Sequence, residues 1–190
     1  MDKHQPKKLK ISKGQLLLAE PFMMDSHFKR ATILLCEHHS TGSIGFIMNK
    51  SLQMNIGDLV SDFPNFESDV HFGGPVGTDT IHFIHNLGDL IEESVQVAPG
   101  VYWGGSFDQV KFMIKSSMVT EHNIRFFVGY TGWGSGQLAE ELREGTWLMA
   151  EMDPNYLFKE KPESLWRLIM EHKGNNFTAI AGIPDTTIWN

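Results

Sequence analysis

The chain has one cysteine, Cys36, in 190 residues, so no internal disulfide can staple it and its stability must come from a packed core. A single thiol agrees with a reducing compartment. No apolar run approaches the roughly 18 residues that a membrane-spanning helix needs. The N-terminal stretch MDKHQPKKLKISKG lacks the apolar region and small-residue cleavage site of a secretory signal. The expectation is a soluble, cytoplasmic protein with no membrane partner. Internal repeats, low-complexity blocks and long Pro/Ser-rich linkers are also missing, which leaves no domain boundary to place. Basic charge is scarce in the body. Residues 1–13 carry five lysines against Asp2, so of 16 basic and 23 acidic groups the remainder keeps 11 and 22. A body that acidic repels a phosphate backbone unless its cations cluster, so nucleic acid is disfavoured as its partner.

Core material is plentiful: 41% of residues are hydrophobic, with 13 Phe, five Trp and ten Met. That suffices for one domain over residues 14–190, preceded by a basic, flexible tail at 1–13. GQLLLAEP, RATILLCE and SIGFIMNK read as strands, the last two joined as a hairpin through HHSTG. IGDLVSDFP reads as a short helix, and DVHFGGPV and TIHFIHNL as further strands. In SFDQVKFMIKSS, Ser106 stands three residues before Gln109, a capping box that starts a helix. The apolar strand IRFFVGY leads into a glycine-rich turn and the helix QLAEELREG, which Gly145 stops. TWLMAEM returns as a strand, Asp153-Pro154 caps a short helical turn, and PESLWRLIMEH is helical up to Lys173-Gly174. The closing NNFTAIAGIPDTTIWN reads as partly extended. Strands dominate the first half and alternate with helices in the second, which predicts an α+β domain.

The stretch VGYTGWGSGQLAEEL has two readings, a phosphate cradle or a tight corner that needs glycine. Strand, glycine turn and helix are the right context for a dinucleotide site, and Asp153 lies about 20 residues on, where a ribose-binding acid would stand. The spacing is wrong, because from Gly132 the third glycine position holds Gln137. A phosphate-loop reading from Gly129 meets Ser135 where lysine is required, and Ser135 does not fit the G-x-S-x-G elbow. Glu140, Glu141 and Glu144 on the following helix oppose a bound anion. The corner, with Trp133 packed down, is the better reading.

Cys36 and His38 stand two apart on a strand, so a Cys-His dyad on one face is geometrically open, although no third group orients it. His82 and His85, three apart, fall on opposite faces of a strand. His82 could join His71 only through tertiary pairing. No C-x-x-C, H-E-x-x-H or clustered D-x-D pattern occurs, and no metal, cofactor or catalytic residue is assigned. Glu92-Glu93 and Glu140-Glu141 are neighbours that do not face one another, and Asn49-Lys50 suits a turn or a pocket rim.

GQLLLAEP, FKRATILLCEHHSTGSIGFIMNK, FGGPV and FFVGYTGWGSGQLAEELREGTWL together resemble the successive blocks of the YqgE/AlgH family over residues 14 to about 150. Ser135 replaces a proline often found before the Gly-Gln-Leu. The resemblance implies a single compact α+β domain with a barrel-like, bifurcated mixed sheet flanked by helices. The family has been described as transcriptional regulators, chiefly through the association of one member with alginate gene control, and it offers no catalytic residues or cofactor to carry across. Three functions stay open: a non-enzymatic binding or regulatory module acting through a protein or small ligand, a direct DNA-binding regulator, and an enzyme using the Gly-Trp-Gly loop as an anion site. The candidate binding surface is Gly132, Trp133, Gly134, Gly136 and Gln137, with Asn49, Gly73 and Gly74 as neighbours; the oligomeric state is open.

Overall fold

The computed structural model describes residues 10–183. The chain order is β1 (Gln15–Ala19), β2 (Thr32–His39), β3 (Gly42–Ile47), β4 (Ser51–Asn55), α1 (Ile56–Leu59), β5 (Asp69–Phe72), β6 (Val76–His85), β7 (Val95–Ala98), β8 (Val101–Trp103), α2 (Phe107–Lys115), β9 (Ile124–Gly134), α3 (Gln137–Glu144), β10 (Trp147–Glu151), α4 (Pro154–Phe158), α5 (Leu165–His172) and α6 (Asn175–Ala181). The main sheet runs β10-β1-β2-β3-β9-β6-β8-β7, and β4 and β5 join it as a branch.

The branch arises on β9. Along one edge, Phe126–Val128 pairs with β5 in parallel, while Thr131–Gly134 pairs with β3 in antiparallel. The opposite edge of β9 pairs with β6. At the fork the backbone of Gly73-Gly74 runs against that of Gly129 and Tyr130. A Cβ on Gly73 would sit 2.3 Å from the Gly129 carbonyl oxygen, and one on Gly129 would sit 2.4 Å from that of Gly74. Gly73 N–H donates to the Val128 carbonyl at 2.8 Å, and its own carbonyl accepts from Ile47 N–H at 2.9 Å and from Thr131 Oγ1 at 3.2 Å. FGGPV is therefore a stitch between two strands that have separated.

The sheet also curls. Lys13 Nζ donates to the Gln96 carbonyl at 2.9 Å, and the Gly14 backbone passes so close to the Val97 carbonyl oxygen that a Cβ there would stand at 2.6 Å. The β7 edge thus turns back toward the first strands, giving a half-barrel. Inside it Leu16, Leu34, Phe46, Ile84 and Phe127 pack against Trp166 and Ile169 of α5. Trp166 Nε1 donates to the Ala19 carbonyl at 3.0 Å, tying the helical plug to the barrel wall. Two further cores cover the outer faces. One lies under α1 and α2, around Phe83, Val110, Ile114 and Phe126. The other lies under α3, around Leu17, Ile33, Trp133, Leu138 and Trp147. Strand alternation sorts them, with Leu16 and Leu18 facing in and Leu17 out.

Three readings change. Gly132-Trp133-Gly134 is not a turn: β9 continues through it, because β3 supplies a partner for each residue. Segment 175–181 is helical, since Phe177, Ile180 and Ala181 pack on the inner core and packing outweighs the β-branched residues there. Strands β4, β7 and β8 had no sequence signal, being short and mostly exposed or glycine-bounded. Residues 1–9 of the basic tail, and the end of the chain from 184, lie outside the described residues.

If the fork depends on backbone contact, Gly73→Ala will lower the unfolding free energy by about 3 kcal/mol or more in urea denaturation, whereas Gly57→Ala, in α1 with nothing within 4 Å of its added Cβ, will leave it unchanged or raise it by up to about 1 kcal/mol.

Candidate functional site

The glycine-tryptophan stretch is fully engaged in the fold. Trp133 Nε1 and Trp147 Nε1 both donate to Glu141 Oε2, at 2.9 and 2.7 Å, and Gln137 Nε2 donates to Glu141 Oε1 at 2.8 Å. Gly134 N–H is taken by Gln137 Oε1 at 2.9 Å, and Ser135 Oγ donates to the Ser40 carbonyl at 2.8 Å. Gly136 begins α3 in the left-handed region, at φ 76°. Gly134 N–H and the Trp133 and Gln137 side-chain donors already have partners, and the carboxylate of Glu141 stands among them. Asp153 caps α4 by accepting from Asn155 N–H at 2.9 Å. Asn49 bridges two backbone groups, accepting from Thr32 N–H and donating to the Arg30 carbonyl, both at 2.8 Å. Of the eight candidate residues, Gly132 to Gln137 form one corner, Gly73 and Gly74 lie beside it at the fork, and Asn49 stands apart at the end of β3.

The Cys-His dyad does not form. A register shift between Leu35 and Glu37 interrupts the pairing of β2 with β3 at Cys36. Cys36 is completely buried with its thiol on the Leu34 carbonyl, while His38 Nδ1 meets Ser43 Oγ at 2.8 Å. Burial pushes the Cys36 thiol well above its usual range, with Glu37 adding to the effect, so no thiolate is available as a nucleophile.

His82 and His85 do face opposite ways. His82 packs among Phe46, Trp103 and Tyr130 and borders a depression of about 310 Å³. His71 and His82 both sit opposite Phe127, one on each side of β9, so that ring separates them and they share no metal. Among the described residues no group of three or more His, Cys, Asp or Glu side chains is placed to hold a metal ion.

Two histidines are buried, and they differ. His85 Nε2 meets the Gly104 carbonyl oxygen at 3.1 Å and its Nδ1 accepts from Leu87 N–H at 3.2 Å, so the neutral ring is fully partnered. His71, on β5 and 4% exposed, has no hydrogen-bond partner on either nitrogen. Burial, then the positive charge of Arg125, lower its pKa to about 4. The Asp69 carboxylate and the nearby Asp69 and Phe126 backbones pull it weakly upward, although neither backbone group reaches hydrogen-bond geometry.

His71 lines a cavity of about 570 Å³ between the β4–β5 branch, the start of β9 and the connection from α4 to α5. Arg125 lines it too. The fork places Arg125 there, because β9 begins beside β5 before crossing to β3. Its Nη1 makes one long hydrogen bond, 3.4 Å to the Met48 carbonyl. Burial draws its pKa down to about 10, opposed by the Glu163 carboxylate, so it stays cationic at neutral pH. Ile124 and Phe158 add apolar wall. Sequence reading named His71 only as a partner for His82 and passed over Arg125, although one charge opening the apolar run IRFFVGY was a signal.

A curled, forked mixed sheet with a helical plug defines a half-barrel α+β domain, and this one carries a polar cavity beside its fork. A family profile described as AlgH-like matches residues 16–178, and the chain belongs to that family. It is 39% identical to a UPF0301 protein of Chlorobium limicola over 93% of this chain and 94% of that one. It is 34% identical to a UPF0301 protein of Cytophaga hutchinsonii over 92% and 96%. The solution structure of the AlgH protein from Pseudomonas aeruginosa superposes with a TM-score of 0.73 at 27% identity, covering 98% of this chain and all of that one. A crystal structure from Corynebacterium diphtheriae has the same fold, with a TM-score of 0.76 at 17% identity over 92% and 94%. No helix among the described residues is long and apolar enough to cross a membrane.

Glu141→Leu strips the acceptor from two indoles and should cost about 2 to 4 kcal/mol in denaturant unfolding. His71 titrates near 6.5 when unfolded and near 4 when folded, so the unfolded chain binds the extra proton between those values. Its neutral state therefore contributes stability that is complete above pH 6.5 and is lost as pH falls toward 4, up to roughly 3 kcal/mol. Unfolding curves across that window should show a steeper pH dependence for the natural protein than for His71→Phe.

Proposed function

We propose that this protein is a non-enzymatic, cytoplasmic binding module whose ligand enters the cavity formed by β4, β5, the start of β9 and the α4–α5 connection. The observation that carries this reading is the pair His71 and Arg125. A buried ring with both nitrogens unpartnered is costly in a folded protein unless something satisfies it, and beside it stands a half-buried guanidinium with one long hydrogen bond. Family membership supports a binding or regulatory role. The buried Cys36 thiol, and the Glu141 carboxylate and Gln137 amide that take up the Trp133 and Gly134 donors of the corner, speak against the enzyme reading. Excess negative charge over residues 14–190 speaks against direct DNA binding. Regulation, in this reading, passes through the ligand or through a protein partner that senses it.

The test is NMR of the full chain against fractions of a bacterial small-molecule extract, with thermal unfolding alongside. One fraction should shift resonances in 51–71, 121–125 and 158–163, and at about 100 times its Kd should raise Tm by roughly 5 to 10 °C. Failure of every fraction to move those residues, together with salt-dependent binding of duplex DNA, would replace this reading with the DNA-binding one.

A further inference from the structure

The chemistry of the cavity narrows its occupant. The charge on its inner wall is cationic: half-buried Arg125 offers five N–H donors in a planar fork and uses one, weakly, on the Met48 carbonyl. No carboxylate among the described residues comes within ion-pairing distance of it. A planar fork with free donors matches a carboxylate, which it grips through two parallel hydrogen bonds. The rim has the opposite sign. Glu67, Asp69, Glu121, Glu160 and Glu163 are all exposed around the mouth, against Lys159 and Lys161. Five carboxylates to two lysines oppose a polyphosphate or dianion more strongly than a ligand with one negative charge, and favour one that also carries an ammonium.

His71 adds a second requirement. A neutral imidazole presents one donor and one acceptor, and here neither has a protein partner. Arg125 cannot serve the ring alone, because its guanidinium can only donate. An occupant that fits both residues has an oxygen to accept and a hydroxyl or amine to donate, close to its carboxylate.

We infer that the cavity binds a small monocarboxylate bearing an adjacent hydroxyl or amine, its carboxylate on the Arg125 fork and the neighbouring group against His71. This rests on the reading of the cavity as the ligand site and adds the ligand's class. At about 570 Å³ the space also leaves room for a side chain beyond that headgroup.

The experiment is an NMR titration of the full chain with lactate, alanine, acetate and inorganic phosphate, following the His71 ring and the Arg125 Nε–H. Lactate or alanine should saturate and bind at least about tenfold more tightly than acetate and phosphate. Arg125→Gln should abolish saturation while keeping the backbone spectrum of the natural protein. His71→Phe should bind lactate and acetate alike. Equal binding of acetate and lactate by the natural protein, preference for phosphate, unchanged affinity in Arg125→Gln, or water alone on His71 at saturating lactate would each overturn the inference. If these probes fail while an extract fraction still moves the cavity residues, the carboxylate inference falls and the binding-module reading stands. If nothing moves them, both fall.

Discussion

The rest of the structure depends on one backbone contact, where Gly73-Gly74 meets Gly129 and Tyr130. Two strands cannot occupy the same edge of β9, so β5 must leave before β3 arrives. The crossing is dense enough that a single methyl on Gly73 would overlap the Gly129 carbonyl. Because the Gly73 carbonyl accepts from both Ile47 and Thr131, the chain leaving β5 also fastens β3 to β9. The fork divides the outer face of the sheet, giving α1 and α2 one core and α3 another.

The same fork creates the cavity. Since β5 covers only Phe126–Val128, the residues just before them on β9 emerge at the open end of the branch, with Arg125 among them. His71 comes from β5, opposite Phe127 and so two residues along β9 from Arg125. Phe158 at the end of α4 closes the far side, and the α4–α5 connection places its charged residues at the mouth. A cation and an unpartnered ring are thus held below an acidic rim by three separate parts of the chain. Desolvation acts on both in the same direction, keeping His71 neutral, while Arg125 remains charged because its ordinary pKa is so high.

The Gly-Trp-Gly corner works by a different principle. Glu141 accepts from Trp133 and Trp147 through one oxygen and from Gln137 through the other, and Gln137 in turn holds Gly134. A carboxylate that accepts from three side chains at once is a clamp, fixing α3 across β9 and β10. The corner holds an anion supplied by the chain itself, gripped by indole and amide side chains rather than by the glycine backbone.

Much of this was legible in the chain. The period-two alternation of QLLLA and the capping residues Ser106 and Asp153 are local signals, and local dihedral and hydrogen-bond preferences are enough to place β1, α2 and α4 where they are found. The family blocks identified the half-barrel and its branch. The sequence could not show that Gly132 to Gly134 continue a strand, because a strand with two glycines and no β-branched residue forms only where a partner such as β3 is present to pair with it. Nor could it distinguish His71 from His85, since each lies in an apolar strand and they differ only in which carbonyl or amide the fold brings within reach. By itself the sequence determined the longer elements with local signals, the acidic body and the family. The tertiary structure alone decided which polar groups found partners, because burial and hydrogen-bond satisfaction belong to contacts between residues far apart in the chain.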